Sequence, residues 1–376
     1  MAGVKLFLAG DVMTGRGIDQ ILPHPSDPRL YESYVQDARV YVELAEQASG
    51  PIGQPVDFGY ILGDALAVLE RAAPDVRIVN LETSVTLSDD PWPGKGINYR
   101  MHPANVPCLT AAALDCCVLA NNHVVDWGLR GLDETLSALH SVGLRTVGAG
   151  RDAAAAGAPA VMDLGERGRV LVFAFGSESS GVPGAWGAAA ERGGVNLLPD
   201  GLGAAEAAVS AAIEAFRRPG DVVVVSIHWG SNWGYGIPRE QRELARALVE
   251  RSRVDVIHGH SSHHAKGVEI HRGRPIIYGA GDFVNDYEGI SGRAEYRGDL
   301  RLAYLMEIDA SGAGLVRFEV VPLQSRRLSL RMASDADVAW VHSMLARESS
   351  PLGVRVERRR HDTLRLQSPS RSGTQQ

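Results

Sequence analysis

The chain has 376 residues, of which 45% are hydrophobic and 22% charged, and this composition excludes intrinsic disorder over most of its length. Its formal net charge of -7 offers no basic field for a phosphate backbone, which excludes a dedicated nucleic-acid binder. Three cysteines do not suggest a disulfide framework or a thiolate metal site. No secretory signal and no apolar run of ~20 residues is present, so we expect a cytoplasmic protein without a membrane anchor.

Short β-rich runs alternate with longer helical patterns, which predicts an α/β domain. Strands are predicted at Val4 to Ala9, Val76 to Leu81, Leu114 to Leu119, Arg169 to Phe175, Asp221 to Ile227 and Val254 to Ile257. Apolar residues near a 3.6 period predict helices at Tyr60 to Ala72, Arg130 to Ser141, Leu202 to Phe216 and Arg239 to Arg251.

The pattern changes toward the C-terminus. Two hairpins are predicted, Gly267 to His271 with Pro275 to Tyr278, and Leu302 to Asp309 with Leu315 to Pro322. We therefore expect one domain over residues 1–330 with mixed sheets, a helix over 331–350 and a flexible tail over 351–376. Residues 23–57 are polar and weakly periodic, which predicts a long insertion near the carboxyl end of the first strand.

Polar side chains follow the first two predicted strands. Asp11 comes after an apolar strand among glycines, where it offers a hard oxygen donor, and Arg16 beyond it could hold an anionic oxygen. Glu82 directly follows a fully apolar strand and needs a cation or a salt bridge if it is buried. Taken singly, Asp11 could equally be a helix cap and Glu82 an exposed loop residue.

The third motif, Asn-Asn-His-x-x-Asp, follows another β run. Asn122 can donate its carbonyl oxygen to a metal, and His123 has a pKa range suited to proton donation near neutral pH. Asp126 lies three residues further on, where it would face His123 across one helical turn and could orient its ring. The alternative makes Asn121 and Asn122 turn or cap residues.

Histidines are concentrated after the later strands. Five of the chain's twelve histidines lie between His228 and His264, and this clustering favours metal ligands over isolated core residues. His228, His260 and His263 are the candidate ligands. His258 alternates with His260 along the strand, so we expect it to be a hydrogen-bonded core residue, while the role of His264 stays open.

In order, these motifs read Gly-Asp-Val-Met-x-Gly-Arg, Asn-Leu-Glu, Asn-Asn-His-x-x-Asp-x-Gly, His-Trp-Gly and Gly-His-x-x-His-x-x-x-Gly-x-Glu. The series resembles the CapA family, which is associated with poly-γ-glutamate capsule synthesis and is related to calcineurin-like metallophosphatases. The resemblance covers about residues 4–290, and Tyr-Gly-Ala-Gly-Asp-Phe at 278–283 also looks like a family element. It implies a four-layer α/β/β/α sandwich of the metallophosphatase type.

The resemblance also implies a site with two divalent metal ions. Asp11 and His263 would bind the first metal, Asn122, His228 and His260 the second, and Glu82 would bridge them. His123 would donate a proton or contact the substrate's anion, with Asp126 in support. Imidazole and oxygen donors suit Mn, Fe or Zn. Metallophosphatases carry Asp-x-His at the first strand, but this chain has Met13, which leaves the first metal only three protein donors.

Three functions remain open at this point. The leading hypothesis is hydrolysis of a phosphate ester in a small or polymeric anionic substrate, with two cations ~3.5 to 4 Å apart that acidify a water. The second is cleavage of an amide or γ-glutamyl bond, and the third a metal-stabilised accessory of polymer synthesis. Six residues on flanking loops could line the pocket or simply pack there: Arg16, Trp92, Lys95, Trp229, Trp233 and Tyr235.

The sequence does not support two other enzyme classes. Residues 10–17 do not match the Gly-x-Gly-x-x-Gly motif of a dinucleotide-binding fold, and residues 176–180 do not match the Gly-x-Ser-x-Gly motif of a nucleophile-elbow hydrolase. The substrate, the identity of the metal and the oligomeric state do not follow from the sequence.

Overall fold

The computed structural model describes residues 3–309, 314–360 and 362–368, and the chain forms a mixed α/β fold around two large sheets. The strands are β1 Val4–Val12, β2 Val76–Leu81, β3 Ser84–Val85, β4 Arg100–Met101, β5 Cys116–Val118, β6 Arg145–Val147, β7 Ala149–Gly150, β8 Ala160–Asp163, β9 Arg169–Gly176, β10 Gly194–Val195, β11 Val222–His228, β12 Val256–His260, β13 Val268–His271, β14 Arg274–Ile277, β15 Asp282–Val284, β16 Leu300–Asp309, β17 Gly314–Arg326, β18 Ser329–Met332, β19 Arg355–Arg358 and β20 Leu364–Gln367. The α-helices are α1 Gly17–Ile21, α2 Arg39–Ser49, α3 Ala65–Ala72, α4 Pro107–Thr110, α5 Gly128–Ser141, α6 Ala153–Gly157, α7 Leu202–Phe216, α8 Arg239–Arg251 and α9 Asp335–Ser349.

Both large sheets mix parallel and antiparallel strands. The first runs in the order β19-β20-β17-β16-β1-β2-β5-β6, with β15 also paired to β1 and β18 to β17. The second runs in the order β13-β14-β12-β11-β9-β8. The predicted α/β class with mixed sheets is confirmed, and the two predicted hairpins are present as the antiparallel pairs β13 with β14 and β16 with β17.

The central strands of the second sheet are buried on both faces, which explains why they read as continuous apolar runs. On one face, Val172 belongs to the same hydrophobic core as Leu8 of the first sheet. On the other face, Phe173 packs with Val209 of α7 and Leu248 of α8. No helix among the described residues has the length and apolarity that crossing a membrane requires.

Strands β1, β11 and β12 extend further at their carboxyl ends than the sequence predicts, and each of these extensions reaches a candidate site residue. β1 continues to Val12 because β15 pairs beside Asp11, so Asp11 lies within the strand and not after it. β11 and β12 end at His228 and His260, which pair with each other in parallel register. The candidate site residues Asp11, His228 and His260 therefore belong to the strands themselves and not to the loops that follow them.

The predicted insertion at 23–57 is more ordered than its weak periodicity suggests. It contains α2, an eleven-residue helix that buries Tyr41, Val42 and Ala45. The apolar periodicity of this helix is weak because only three of its positions are buried and polar residues occupy its exposed face.

The prediction of a flexible tail from residue 351 is wrong for residues 355–358 and 364–367. There, β19 and β20 pair with each other, and β20 extends the first sheet beside β17. Val356, Leu364 and Leu366 are buried, while the arginines between them face outward. Buried and exposed residues alternate in each of these strands over only four positions, and the arginine-rich composition of the segment concealed this pattern. Residues 369–376 of the predicted tail lie outside the described residues.

Gly10 provides a test of how closely β15 approaches β1. A Cβ atom at Gly10 would lie 1.8 Å from the carbonyl oxygen of Gly281, so alanine must push β15 away from β1. We expect Gly10→Ala to lower the free energy of unfolding by about 1–3 kcal/mol, as overpacking does, in a thermal denaturation experiment. In Gly53→Ala, the matched control, the added Cβ meets no atom within 4 Å. Equal stability of the two variants would contradict the close approach.

Candidate metal centre

Strand register brings the candidate ligands to one edge of the two sheets. Asp11 on β1 pairs with Asp282 on β15 and with Asn80 on β2. His228 and His260 are opposite each other at the ends of β11 and β12. Because parallel strands end at the same edge of a sheet, residues more than 200 positions apart in the chain meet there.

Two groups of donor atoms form around Asp11. Asp11, His228 and His260 make one group, and Asp11, His263 and Asp282 make the other, with the ligand atoms of each group within 4.8 Å of one another. The Nδ1 atoms of His228 and His260 are 2.8 Å apart, and His263 Nδ1 is 2.9 Å from Asp282 Oδ1. All five residues are buried, and Asp11 is common to both groups.

Glu82 and Asn122 lie in the same cluster but outside these two groups. Glu82 Oε1 is 3.7 Å from His123 Nε2. Asn122 Oδ1 is 3.1 Å from Nε2 of His228, the ring nitrogen opposite the one that faces His260. In this arrangement Asp11 belongs to both groups, Glu82 lies beside Asp11, and Asn122 contacts the far side of the His228 ring.

Asp282 is the site residue that the motif analysis missed. It supplies a carboxylate to the group in which Met13 replaces an expected histidine. Met13 itself is buried, and its sulfur lies 3.9 Å from the hydroxyl of Tyr287. The signal for Asp282 was the Gly-Asp-Phe element at 281–283, which resembled a family element but received no chemical role.

The electrostatics of the cluster suit a cation. Burial, reinforced by the neighbouring Asp282, raises the pKa of Asp11 to about 7, and burial followed by the charge of Asp11 raises the pKa of Glu82. Burial lowers the pKa values of His228 and His260, which favours the neutral form of both rings, the form that binds a metal. Clustered buried carboxylates beside neutral imidazoles are the donor set that a divalent Mn, Fe or Zn ion takes, so these residues fit such an ion.

His123 lies beside this cluster in a network of three side chains. Its Nδ1 atom is 2.7 Å from Asp126 Oδ2 and 3.0 Å from Lys95 Nζ, and Lys95 also donates to Asp126 Oδ1 and to the Asn122 carbonyl oxygen. The expected contact between Asp126 and the His123 ring is present. The expectation of a near-neutral pKa is not met, because burial lowers the pKa of His123 to about 4.

Arg16 does not face the cluster, which corrects its prediction as an anion-binding residue. Its guanidinium group forms buried ion pairs with Glu32 and with both oxygens of Asp286. It stacks over Tyr99 at 4.7 Å, and the Tyr99 ring in turn contacts the His123 ring at 4.4 Å. A buried arginine needs anionic partners, so Arg16 supports the wall behind His123.

The two remaining histidines of the cluster have different surroundings. His258 is buried with its Nδ1 atom 3.0 Å from Ser226 Oγ, as expected of a hydrogen-bonded core residue. Ser226 Oγ also lies 2.9 Å from His260 Nε2, so it links the two rings. His264 stacks on Tyr296 with ring centroids 4.4 Å apart and belongs to an aromatic cluster beside the site.

The flanking loop residues differ in what they contact. Trp229 is buried and donates to the Tyr278 carbonyl oxygen, which is ordinary packing. Trp92 packs edge-on against Trp186 with ring centroids 5.5 Å apart. Trp233 lies next to His263 with ring centroids 5.5 Å apart. Lys95 and Trp233 are thus the flanking residues that contact candidate site residues from opposite sides.

The fold and this cluster define a mixed α/β protein with a buried imidazole and carboxylate centre at its strand ends. The sequence profile of the bacterial capsule synthesis protein PGA_cap matches residues 5–287, about three quarters of the chain. The chain belongs to this PGA_cap (CapA) family, as its motifs indicated.

Named relatives agree with this membership. A Mycobacterium tuberculosis protein named probable polyglutamine synthesis accessory protein is 46% identical over 364 residues, which covers 96% of each chain. The PGA biosynthesis protein CapA of Bacillus subtilis is 26% identical over 347 residues, covering 88% of this chain and 78% of the relative. The capsule biosynthesis protein CapA of Bacillus anthracis is 26% identical over 257 residues, covering 68% of this chain and 59% of the relative.

Because Asp11 is common to both donor groups and Asp282 is not, their substitutions should have unequal effects on metal content. We expect Asp11→Asn to lose about two equivalents of divalent metal per chain and Asp282→Asn about one, since each group loses a charged donor. Elemental analysis of protein purified with Mn, Fe or Zn measures both. Full metal content in Asp11→Asn would contradict the assignment.

Metal binding should also depend on pH. Burial raises the pKa of Asp11 from 3.8 to about 7 on folding, so metal-free folded protein holds an extra proton between these pH values. Its free energy of unfolding therefore falls as pH rises from 3.8 to about 7. Metal binding removes this penalty, and we expect added metal to raise Tm more at pH 8 than at pH 5. An equal rise at both pH values would show that Asp11 does not bind the metal.

Proposed function

We propose that this protein is a metal-dependent hydrolase that cleaves a phosphate ester. The observation that carries the proposal is the pair of donor groups that share Asp11, with His123 and its partners at their side. When bound, divalent ions supply positive charge for phosphate oxygens and lower the pKa of water. We further propose that the two sheets stack as the four-layer sandwich of metallophosphatases, because one face of the second sheet shares a core with the first and the other packs on helices.

In this proposal His123 is the proton donor to the leaving group. Asp126 accepts from Nδ1 and fixes the ring, which directs Nε2 toward Glu82 and the donor groups. Lys95 holds the Asp126 carboxylate in place. A bound anion near Nε2 would raise the pKa of His123 from its low value, because a negative charge favours the imidazolium form.

A second candidate follows from the family and not from the geometry. The relatives carry names that refer to PGA biosynthesis and to a polyglutamine synthesis accessory protein. The same centre could therefore act on an amide or γ-glutamyl bond, or a metal could stabilise a non-catalytic accessory protein. Metal binding alone does not distinguish these functions, whereas turnover does.

The test is a panel of phosphomonoester, phosphodiester and γ-glutamyl substrates with metal-loaded protein. We expect phosphate ester turnover, and we expect His123→Ala to lower kcat by ~10² to 10⁴ while the metal content is unchanged. His140→Ala is the matched control, because His140 is an exposed histidine on α5. Turnover of γ-glutamyl substrates alone would favour the second chemistry, and bound metal without any turnover would favour the accessory role.

A further inference from the structure

An exposed arginine stacks on the aromatic residue next to the candidate metal centre. The Cζ atom of Arg293 lies 4.5 Å from the ring centroid of Trp233, and the Trp233 ring lies 5.5 Å from the ring of His263. Arg293 is therefore one aromatic ring away from a proposed metal ligand. His263 retains 9% exposure of its side chain, and Arg293 itself is exposed.

The guanidinium group of Arg293 is available for a ligand. Among residues 3–309, 314–360 and 362–368, no carboxylate forms an ion pair with it, whereas Arg297 on the same segment pairs with Asp299 and Asp337. Stacking on an indole ring holds the guanidinium plane and leaves its N–H edge free to donate. A planar group of this kind recognises carboxylate or phosphate oxygens with paired hydrogen bonds.

Neighbouring side chains hold the indole ring on which this arginine stacks. Tyr296, three residues further along, contacts Trp233 at 5.4 Å and stacks on His264 at 4.4 Å. Asn232, next to Trp233 in the chain, is exposed and places its side-chain nitrogen 3.1 Å from His263 Nε2. The arginine, the indole and the amide thus form one surface that begins at the metal centre.

We propose that Arg293 and Trp233 form a subsite that binds a second anionic group of the substrate, one aromatic ring's length from the reacting phosphate. This inference rests on the proposed phosphate ester function and narrows it to esters that carry a further carboxylate or phosphate. In this subsite Trp233 contacts the part of the substrate that joins the two anionic groups, and Arg293 binds the second group.

Two non-hydrolysable compounds test the subsite in the metal-loaded protein. Benzylphosphonate has one anionic group, and 4-carboxybenzylphosphonate adds a carboxylate across one ring. By calorimetry, we expect Arg293→Met to weaken the binding of the carboxylated compound by about tenfold, the effect of one charge-assisted hydrogen bond, and to change benzylphosphonate less than twofold. Arg71→Met on α3, where Arg71 is also exposed, should leave the binding of both compounds unchanged.

The outcomes separate this inference from the function on which it rests. If the wild-type protein binds both compounds with equal affinity, or if Arg293→Met binds the carboxylated one as tightly as the wild type does, the subsite is wrong and the phosphate site stands. If the wild-type protein binds neither compound, the phosphate function fails and the subsite with it. Selective weakening in Arg293→Met supports both.

Discussion

The burial of several carboxylates at one point is the constraint on which the rest of this structure depends. Asp11, Glu82 and Asp282 lie together at 0–2% exposure, where like charges repel and water cannot screen them. Lys95 acts electrostatically on Glu82 but pairs with Asp126. His263, whose pKa the charge of Asp282 raises despite burial, pairs with Asp282 alone of these three carboxylates. Such an arrangement is stable only if protons or cations compensate the charge, and the neutral imidazoles around Asp11 favour a cation.

Strand pairing holds this cluster of like charges in place. Asp11 and Asp282 are fixed by the pairing of β1 with β15, and His228 and His260 by the pairing of β11 with β12. Each strand is anchored in an apolar core, so these four residues have little freedom to move apart. The binding energy of a metal ion is therefore not needed to gather its ligands.

Aromatic and cationic side chains form the surroundings of the centre. Tyr99 contacts His123 on one side, with Arg16 stacked behind it, while Trp233 contacts His263 on the other. The two arginines differ in what they can do. Arg16 is buried and paired, so it stabilises the wall, whereas Arg293 is exposed and stacked on an indole, so it can meet an anionic group.

Local sequence determined the α/β class, most strands and helices, and the residue types of the centre. These features depend on apolar periodicity and on polar residues that follow strands, and both are visible in consecutive positions of the chain. Only the tertiary structure decided that Asp282 joins Asp11 and that Asn122 faces the far nitrogen of His228. It also decided that Arg16 forms an ion pair with Asp286, 270 positions away, and that residues 355–358 and 364–367 extend a sheet. These outcomes depend on strand register and on partners distant in the chain, and no local pattern encodes either.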